Sequence, residues 1–113
     1  MVSTMEVKLL SGTVELLVLE ILSDGDSYGY EISQTVLGRS NGVFELKEGS
    51  LYPALHKLER EKLLTSVWSE HDGRRRKYYR LTAAGRKELA ARKAEWELLA
   101  RGVRNVLGSE GAP

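Results

Sequence analysis

A mainly α fold with a small β component (α+β) is predicted by three features of this 113-residue chain. Three consecutive segments in the first half carry apolar residues at helical spacing. Two short runs rich in β-branched and aromatic residues then flank a turn signal at Asp72-Gly73. A long segment from Ala83 to about Val106 finally returns to the helical period. The expected order is α-α-α-β-β-α, within one folding unit.

The first helix, roughly residues 13–23, follows a capping candidate at Ser11 or Thr13. Its apolar residues cover most of the circumference, and it stops at Asp24-Gly25-Asp26. A helix apolar on nearly all sides belongs at the centre of the core. The second helix spans Tyr28 to Val36, with Tyr28, Ile32 and Val36 at four-residue spacing, Ser27 as a possible cap and Gly38 near its end. "GRSNGVFELKEG" reads as a turn-rich connection.

The third helix is "GSLYPALHKLERE", residues 49–61. Leu51, Leu55 and Leu58 fall on one stripe, and Gly49, Pro53, His56 and Arg60 on the opposite side. One face is core and the other is offered to a partner. If Ser50 caps this helix, Pro53 lies in the first turn, where its missing amide has no intrahelical acceptor. An earlier start turns it into a mild kink. After Leu64, "TSVWS" and "KYYRL" form a hairpin around the basic tip "EHDGRRR". In the final helix Leu89, Trp96, Leu99, Val103 and Val106 approach a/d heptad spacing, with Arg92 the exception, and "GSEGAP" (108–113) reads as a disordered tail.

Composition narrows the function. There is no cysteine, so disulfide frameworks, thiolate nucleophiles and cysteine zinc sites are unavailable, and a reducing cytoplasmic setting is expected. The start "MVSTMEVKLL" lacks the pattern of a signal peptide, and no apolar stretch is long enough to span a bilayer. Two histidines, His56 and His71, make no metal cluster, and no nucleophile-base pair or phosphate loop is evident. "DGDSYG" resembles the start of a calcium loop but places Tyr28 and Thr35 where ligands are required, so Asp24 and Asp26 read as turn formers. Neither an enzyme nor a cofactor or metal protein is expected.

Net charge is only +1, yet five of the basic side chains lie between His71 and Arg80 beside a single acid, Asp72. A helix with hydrogen-bonding side chains on its outer face, preceded by two helices and followed by a basic hairpin, makes a winged helix-turn-helix. The major groove of B-DNA, about 12 Å wide, admits one helix, and the reading end needs donors and acceptors. Ser50, Tyr52 and His56 meet that need, with Lys57 as a phosphate contact and Arg74, Arg75 and Arg76 along the backbone or in the minor groove. Tyr52 has a second reading, packing against the wing, and His56 a second reading as an ordinary exposed side chain. The rival function is a winged-helix protein-protein interaction module without specific DNA binding, which would display apolar residues on that outer helix face.

"EGSLYPALHKLEREKLL" followed by "GRRRKYYRLTAAGRKEL" resembles the PadR family of bacterial transcriptional regulators, in its short form with a single C-terminal helix. The resemblance runs from about Leu16 to Val106. It implies a homodimeric repressor on double-stranded DNA that reads an inverted-repeat operator. Ser50, Tyr52, Pro53 and Lys57 match the family's recognition helix, and Arg74, Arg75, Arg76 and Lys77 match its wing. Some members hold planar aromatic, cationic or phenolic molecules between subunits, beside a tryptophan placed like Trp96. The family commonly has glycine where this chain has Lys62, and a positive φ there would cost a non-glycine residue on the order of 1 kcal/mol.

The organisation expected is a DNA-binding domain over residues 1–82 and a dimerisation helix over 83–107. A helix of about 24 residues is roughly 36 Å long. Its apolar seam, Leu89, Trp96, Leu99, Val103 and Val106, exceeds what so small a domain can cover, so a second copy is the natural partner. The alternative is that the seam folds back on the chain's own first helix.

Overall fold

The computed structural model describes residues 5–6 and 11–108. Their order is β1 (Met5–Glu6), α1 (Ser11–Leu22), β2 (Ser27–Tyr28), α2 (Gly29–Arg39), β3 (Phe44–Glu45), α3 (Glu48–Arg60), β4 (Leu64–His71), β5 (Arg74–Leu81) and α4 (Ala83–Leu107). Apart from Gly108, the tail expected to be disordered lies outside the described residues.

α1 runs through the middle of the core. Val14, Val18, Leu19, Ile21 and Leu22 are all buried, against Ile32 and Val36 of α2, Leu51, Leu55 and Leu58 of α3, and Leu64, Tyr79 and Leu81 of the hairpin. The leucine stripe of α3 lies on the inside, as its spacing predicts. β4 and β5 pair antiparallel from Leu64↔Leu81 to His71↔Arg74. Asp72 (φ 53°) and Gly73 (φ 74°) form the two-residue loop, the backbone pattern of a type I′ turn.

Four expectations need correcting. Ser27 does not cap α2: Ser27 and Tyr28 are extended and pair with Tyr79 and Tyr78, adding a third strand in the order β2-β5-β4. Tyr28 takes the cap position, and the Ser27 hydroxyl donates instead to Glu31 Oε1 at 2.7 Å. Ser50 does not cap α3, because the helix starts at Glu48 after an extended Lys47 whose carbonyl accepts from the amides of Ser50 and Leu51. Pro53 therefore stands inside the helix, where it supplies no N–H for the Gly49 carbonyl. The arginines of the wing are strand residues, not a loop tip, because the tight turn lets both strands run eight residues. The connection after α2 also holds a short strand, β3, which pairs parallel with β1.

α4 is fastened at its start. Thr82 Oγ1 accepts from the Gly85 amide at 2.9 Å and donates to the Lys62 and Leu63 carbonyls. A Cβ on Gly85 would lie 2.2 Å from the Leu63 oxygen, so this contact needs glycine. The fourth correction is here: Leu89, expected on an intersubunit seam, is 7% exposed and belongs to the chain's own core. The first turns of α4 lie on the domain, and only later ones leave it. At 1.5 Å per residue, the 25 residues of α4 are about 37 Å long, and the long axis of the molecule is 54 Å. Gly108 closes the helix in the left-handed conformation.

Candidate nucleic-acid interface

The outer face of α3 carries Tyr52, Pro53, His56, Lys57 and Arg60, all exposed, with Ser50 half-buried at its edge. Tyr52 is positioned from below by Gly29, the first residue of α2, where an added Cβ would meet the tyrosine hydroxyl at 2.6 Å. Its ring lies 6.3 Å from that of His56. The packing expected against the wing is corrected: the Tyr52 ring lies against Gly29 of α2, and its edge stays open to solvent.

The wing stands beside this helix, and the two enclose an open groove of about 540 Å³ lined by residues that include Tyr52, His56, Trp68, Arg75 and Lys77. Strand alternation divides the basic residues. Arg75 and Lys77 lie on the side of Tyr79 and Leu81, which faces α3, while Arg74, Arg76 and Arg80 lie on the other side with Tyr78. Aromatic rings support them: the Arg75 guanidinium lies 4.9 Å from the Trp68 ring and that of Arg76 lies 4.4 Å from Tyr28. Tyr28 in turn meets Tyr78 edge-on at 5.3 Å.

Local pairing separates the free cations from the engaged ones. Arg80 holds Asp26 through a forked contact, with Nη2 at 2.7 Å and Nε at 3.1 Å, and these hydrogen bonds keep the Asp26 carboxyl below its ordinary range. Asp24 pairs with Arg39 through one guanidinium nitrogen, so both turn aspartates serve to tie elements together. Lys77, matched to the family's wing, is turned towards α3, 3.7 Å from Glu59 and over the Tyr79 ring. No carboxylate among the described residues pairs with Arg74, Arg75 or Arg76. Three unneutralised guanidinium groups on a narrow hairpin can bind closely spaced anions, as a nucleic-acid backbone presents them.

Behind α3 lies a buried carboxylate. Glu15 of α1 is 5% exposed, and it accepts from Lys57 Nζ at 3.0 Å and from Arg92 Nη1 at 2.8 Å. Burial raises its pKa, but the hydrogen bonds and charges of Arg92 and Lys57 outweigh that and hold it lowered. Arg92 also donates to Glu88 at 2.7 Å. That explains its place in the heptad pattern: it faces the chain's own α1. Lys57 is thus both half-open to solvent and tied to α1.

On the opposite side, Trp96 lines an apolar pocket of about 260 Å³ between α1 and α4, with Leu16, Leu17 and Phe44 at its base. Leu99, Val103 and Val106 lie further along α4 and are 64%, 48% and 86% exposed. Leu98 and Leu107 are open as well. The fold-back alternative holds only as far as Trp96.

Trp68, Tyr28 and Tyr30 were not among the residues expected at the interface, yet all three border the groove. The available signal was period-two alternation, which puts Trp68 on the same face as Arg75.

Comparison with known proteins identifies the family. Residues 18–91 match the Transcriptional regulator PadR-like family. A transcriptional regulator of Mycobacterium tuberculosis is 38% identical over 97 residues, which span 86% of this chain and 85% of that protein. The crystal structure of a PadR family transcription regulator from Clostridium difficile superposes with a TM-score of 0.75 at 39% identity, covering 85% of this chain and 99% of the other. A transcriptional regulator from Clostridium thermocellum gives a TM-score of 0.79 at 35% identity, over 86% and 95%.

Proposed function

Because the chain belongs to the PadR-like family of transcriptional regulators, a DNA-binding family and not one of enzymes, we propose that it is a homodimeric repressor of a palindromic operator. The observation that carries this reading is the trio Arg74, Arg75 and Arg76, free of carboxylate partners among the described residues, beside the exposed face of α3. In each subunit α3 enters the major groove. Ser50, Tyr52 and His56 lie near base edges, while Pro53 and Lys57 border the backbone and the wing arginines take phosphates. Lys77 contributes through the shape of the wing more than through a phosphate.

The apolar row Leu99, Val103 and Val106, which continues outward from the partly covered Trp96, supports dimerisation, since among the described residues the chain leaves it open. Leu89 has no part in that seam. Two reader helices about 34 Å apart then meet successive major grooves on one side of the duplex. The pocket under Trp96 is suited to a planar aromatic molecule held between subunits. A ligand that prefers one of two dimer arrangements changes the spacing of the reader helices and releases the operator. No helix among the described residues is long and apolar enough to cross a membrane.

The test is fluorescence anisotropy on the DNA upstream of the protein's own gene and on a scrambled duplex of equal length, across a salt series. Tight, salt-sensitive binding to the upstream DNA alone is expected. Equal binding to both duplexes argues for a non-specific binder, and no binding at low salt favours an interaction module. Quenching of tryptophan fluorescence by planar aromatics in the Trp68→Phe variant, whose remaining tryptophan is Trp96, tests the ligand, and an unchanged spectrum across a panel removes it.

A further inference from the structure

Glu59 is the one acid of α3 that faces the wing, and its position is electrostatically awkward. A carboxylate beside a phosphate-binding hairpin opposes DNA through its own charge and engages a cation that phosphate would otherwise attract. The structure gives it another task. Glu59 Oε2 accepts a hydrogen bond from the Ser66 hydroxyl of β4, and Oε1 lies 3.7 Å from Lys77 Nζ of β5. Ser66 and Lys77 stand on the face of the hairpin that looks towards α3, two residues apart along the paired strands, since Ser66 is opposite Tyr79 and Trp68 opposite Lys77. One side chain of the reader helix therefore holds both strands of the wing near its root. The Lys77 ammonium also lies 5.4 Å from the Tyr79 ring, which is buried.

We propose that Glu59 is a positioning residue for DNA recognition: by joining Ser66 and Lys77 it sets the angle of the wing to α3, and so the placing of Arg74, Arg75 and Arg76 relative to Tyr52 and His56. The lever is long. From Ser66 to His71 the strand extends about 17 Å at 3.4 Å per residue, so a tilt of roughly 10° at the root moves the tip by about 3 Å. A charge-assisted hydrogen bond to a phosphate forms or breaks within a fraction of that distance. This inference rests on the DNA-binding reading above and names a residue on which its geometry depends.

Charge and positioning predict opposite signs, which makes the test direct. Anisotropy is measured with the full-length protein on specific and scrambled duplexes, for the parent, E59A, E59Q and S66A. If Glu59 acted only through its charge, both Glu59 variants would bind every duplex more tightly and S66A would change nothing. Positioning requires weaker specific binding by E59A, on the order of tenfold, with scrambled DNA bound equally well or better. E59Q keeps an acceptor for Ser66 and should lose less, and S66A should weaken specific binding although no charge has changed. R75A should also cost less affinity in the E59A background than in the parent, because the arginine is already misplaced. Specific binding by all three variants as tight as the parent's, or tighter, overturns the proposal.

Amide hydrogen exchange over residues 64–81 provides an arm without DNA. E59Q and E59A should speed exchange in the hairpin while α1 and α4 keep the parent's protection, and unchanged hairpin exchange counts against the tie. Absence of binding by the parent to any duplex would refute the DNA-binding reading, and the exchange measurement would still decide whether Glu59 sets the wing. If E59A does not fold, E59Q and S66A carry both arms.

Discussion

Lys57 of α3 and Arg92 of the C-terminal helix are held on the two oxygens of one carboxylate, that of Glu15, at 3.0 Å and 2.8 Å. Three helices thus meet at a single buried charge. A charge removed from water is tolerated when partners satisfy it, and losing the pairing leaves Lys57 without a carboxylate partner among the described residues and Arg92 with Glu88 alone. Glu15→Gln should lower stability at neutral pH by roughly 1–3 kcal/mol, read as a shift in the urea midpoint.

The same carboxylate sets a pH dependence. Its pKa in the folded protein is lowered, so the unfolded chain binds the proton more tightly. The stabilisation it contributes is complete above the ordinary value of 4.5 and is lost as the pH falls through the lower folded value. Glu15→Gln should therefore flatten the acid limb of the stability profile. Parallel limbs for parent and variant would show that another carboxylate, such as Asp26 on Arg80, governs acid unfolding.

Gly85→Ala places a methyl group 2.2 Å from the Leu63 carbonyl and 2.6 Å from Leu81 Cδ1. The junction of α3, β4 and α4 has no room to give without breaking the Thr82 cap. A loss of about 3 kcal/mol is expected in chemical denaturation. A loss below about 1 kcal/mol would mean that the helix can slide on the hairpin.

Lys62 has φ 64°, the left-handed conformation in which a side chain is unfavourable. The expected departure from the family's glycine is therefore a strained position. Lys62→Gly should stabilise the protein by up to about 1 kcal/mol, visible as a raised melting temperature.

Replacing Arg74, Arg75 and Arg76 by alanine should weaken binding to all duplexes alike and lower the slope of log affinity against log salt by about 0.9 for each phosphate no longer neutralised. Tyr52 and His56 should behave differently, with replacement changing the preference among sequences. Equal losses on specific and random DNA would assign these two to the backbone.

The open end of α4 leads to a test of assembly. Replacing Leu99 and Val103 by aspartate should convert a dimer into a monomer in light scattering without loss of helix signal, since both side chains point away from the chain's own core. A monomeric parent protein at micromolar concentration would remove the seam from the mechanism.

Local periodicity and turn chemistry made part of this protein legible along the chain alone. The leucine stripe of α3, the Asp72-Gly73 turn and the return to helical spacing at Ala83 each follow from spacing and conformational preference within a few residues. The arginine run beside an exposed helix face pointed to nucleic acid for the same local reason. Which surfaces and charges find partners was settled by the folded arrangement instead. Leu89 lies in the core while Leu99, ten residues on, is open, because α4 outruns the domain it lies on. Lys77 and Arg80 are drawn to Glu59 and Asp26, and Arg74, Arg75 and Arg76 are left without a carboxylate partner among the described residues. Ser27 enters a strand because β5 is there to pair with it. Glu15, unremarkable on a helix of apolar residues, becomes the junction of three helices through Lys57, 42 positions away, and Arg92, 77 away. Long-range electrostatics and packing carry no signature in the spacing of neighbours along the chain, and they are what converts a legible helix and hairpin into a surface for DNA.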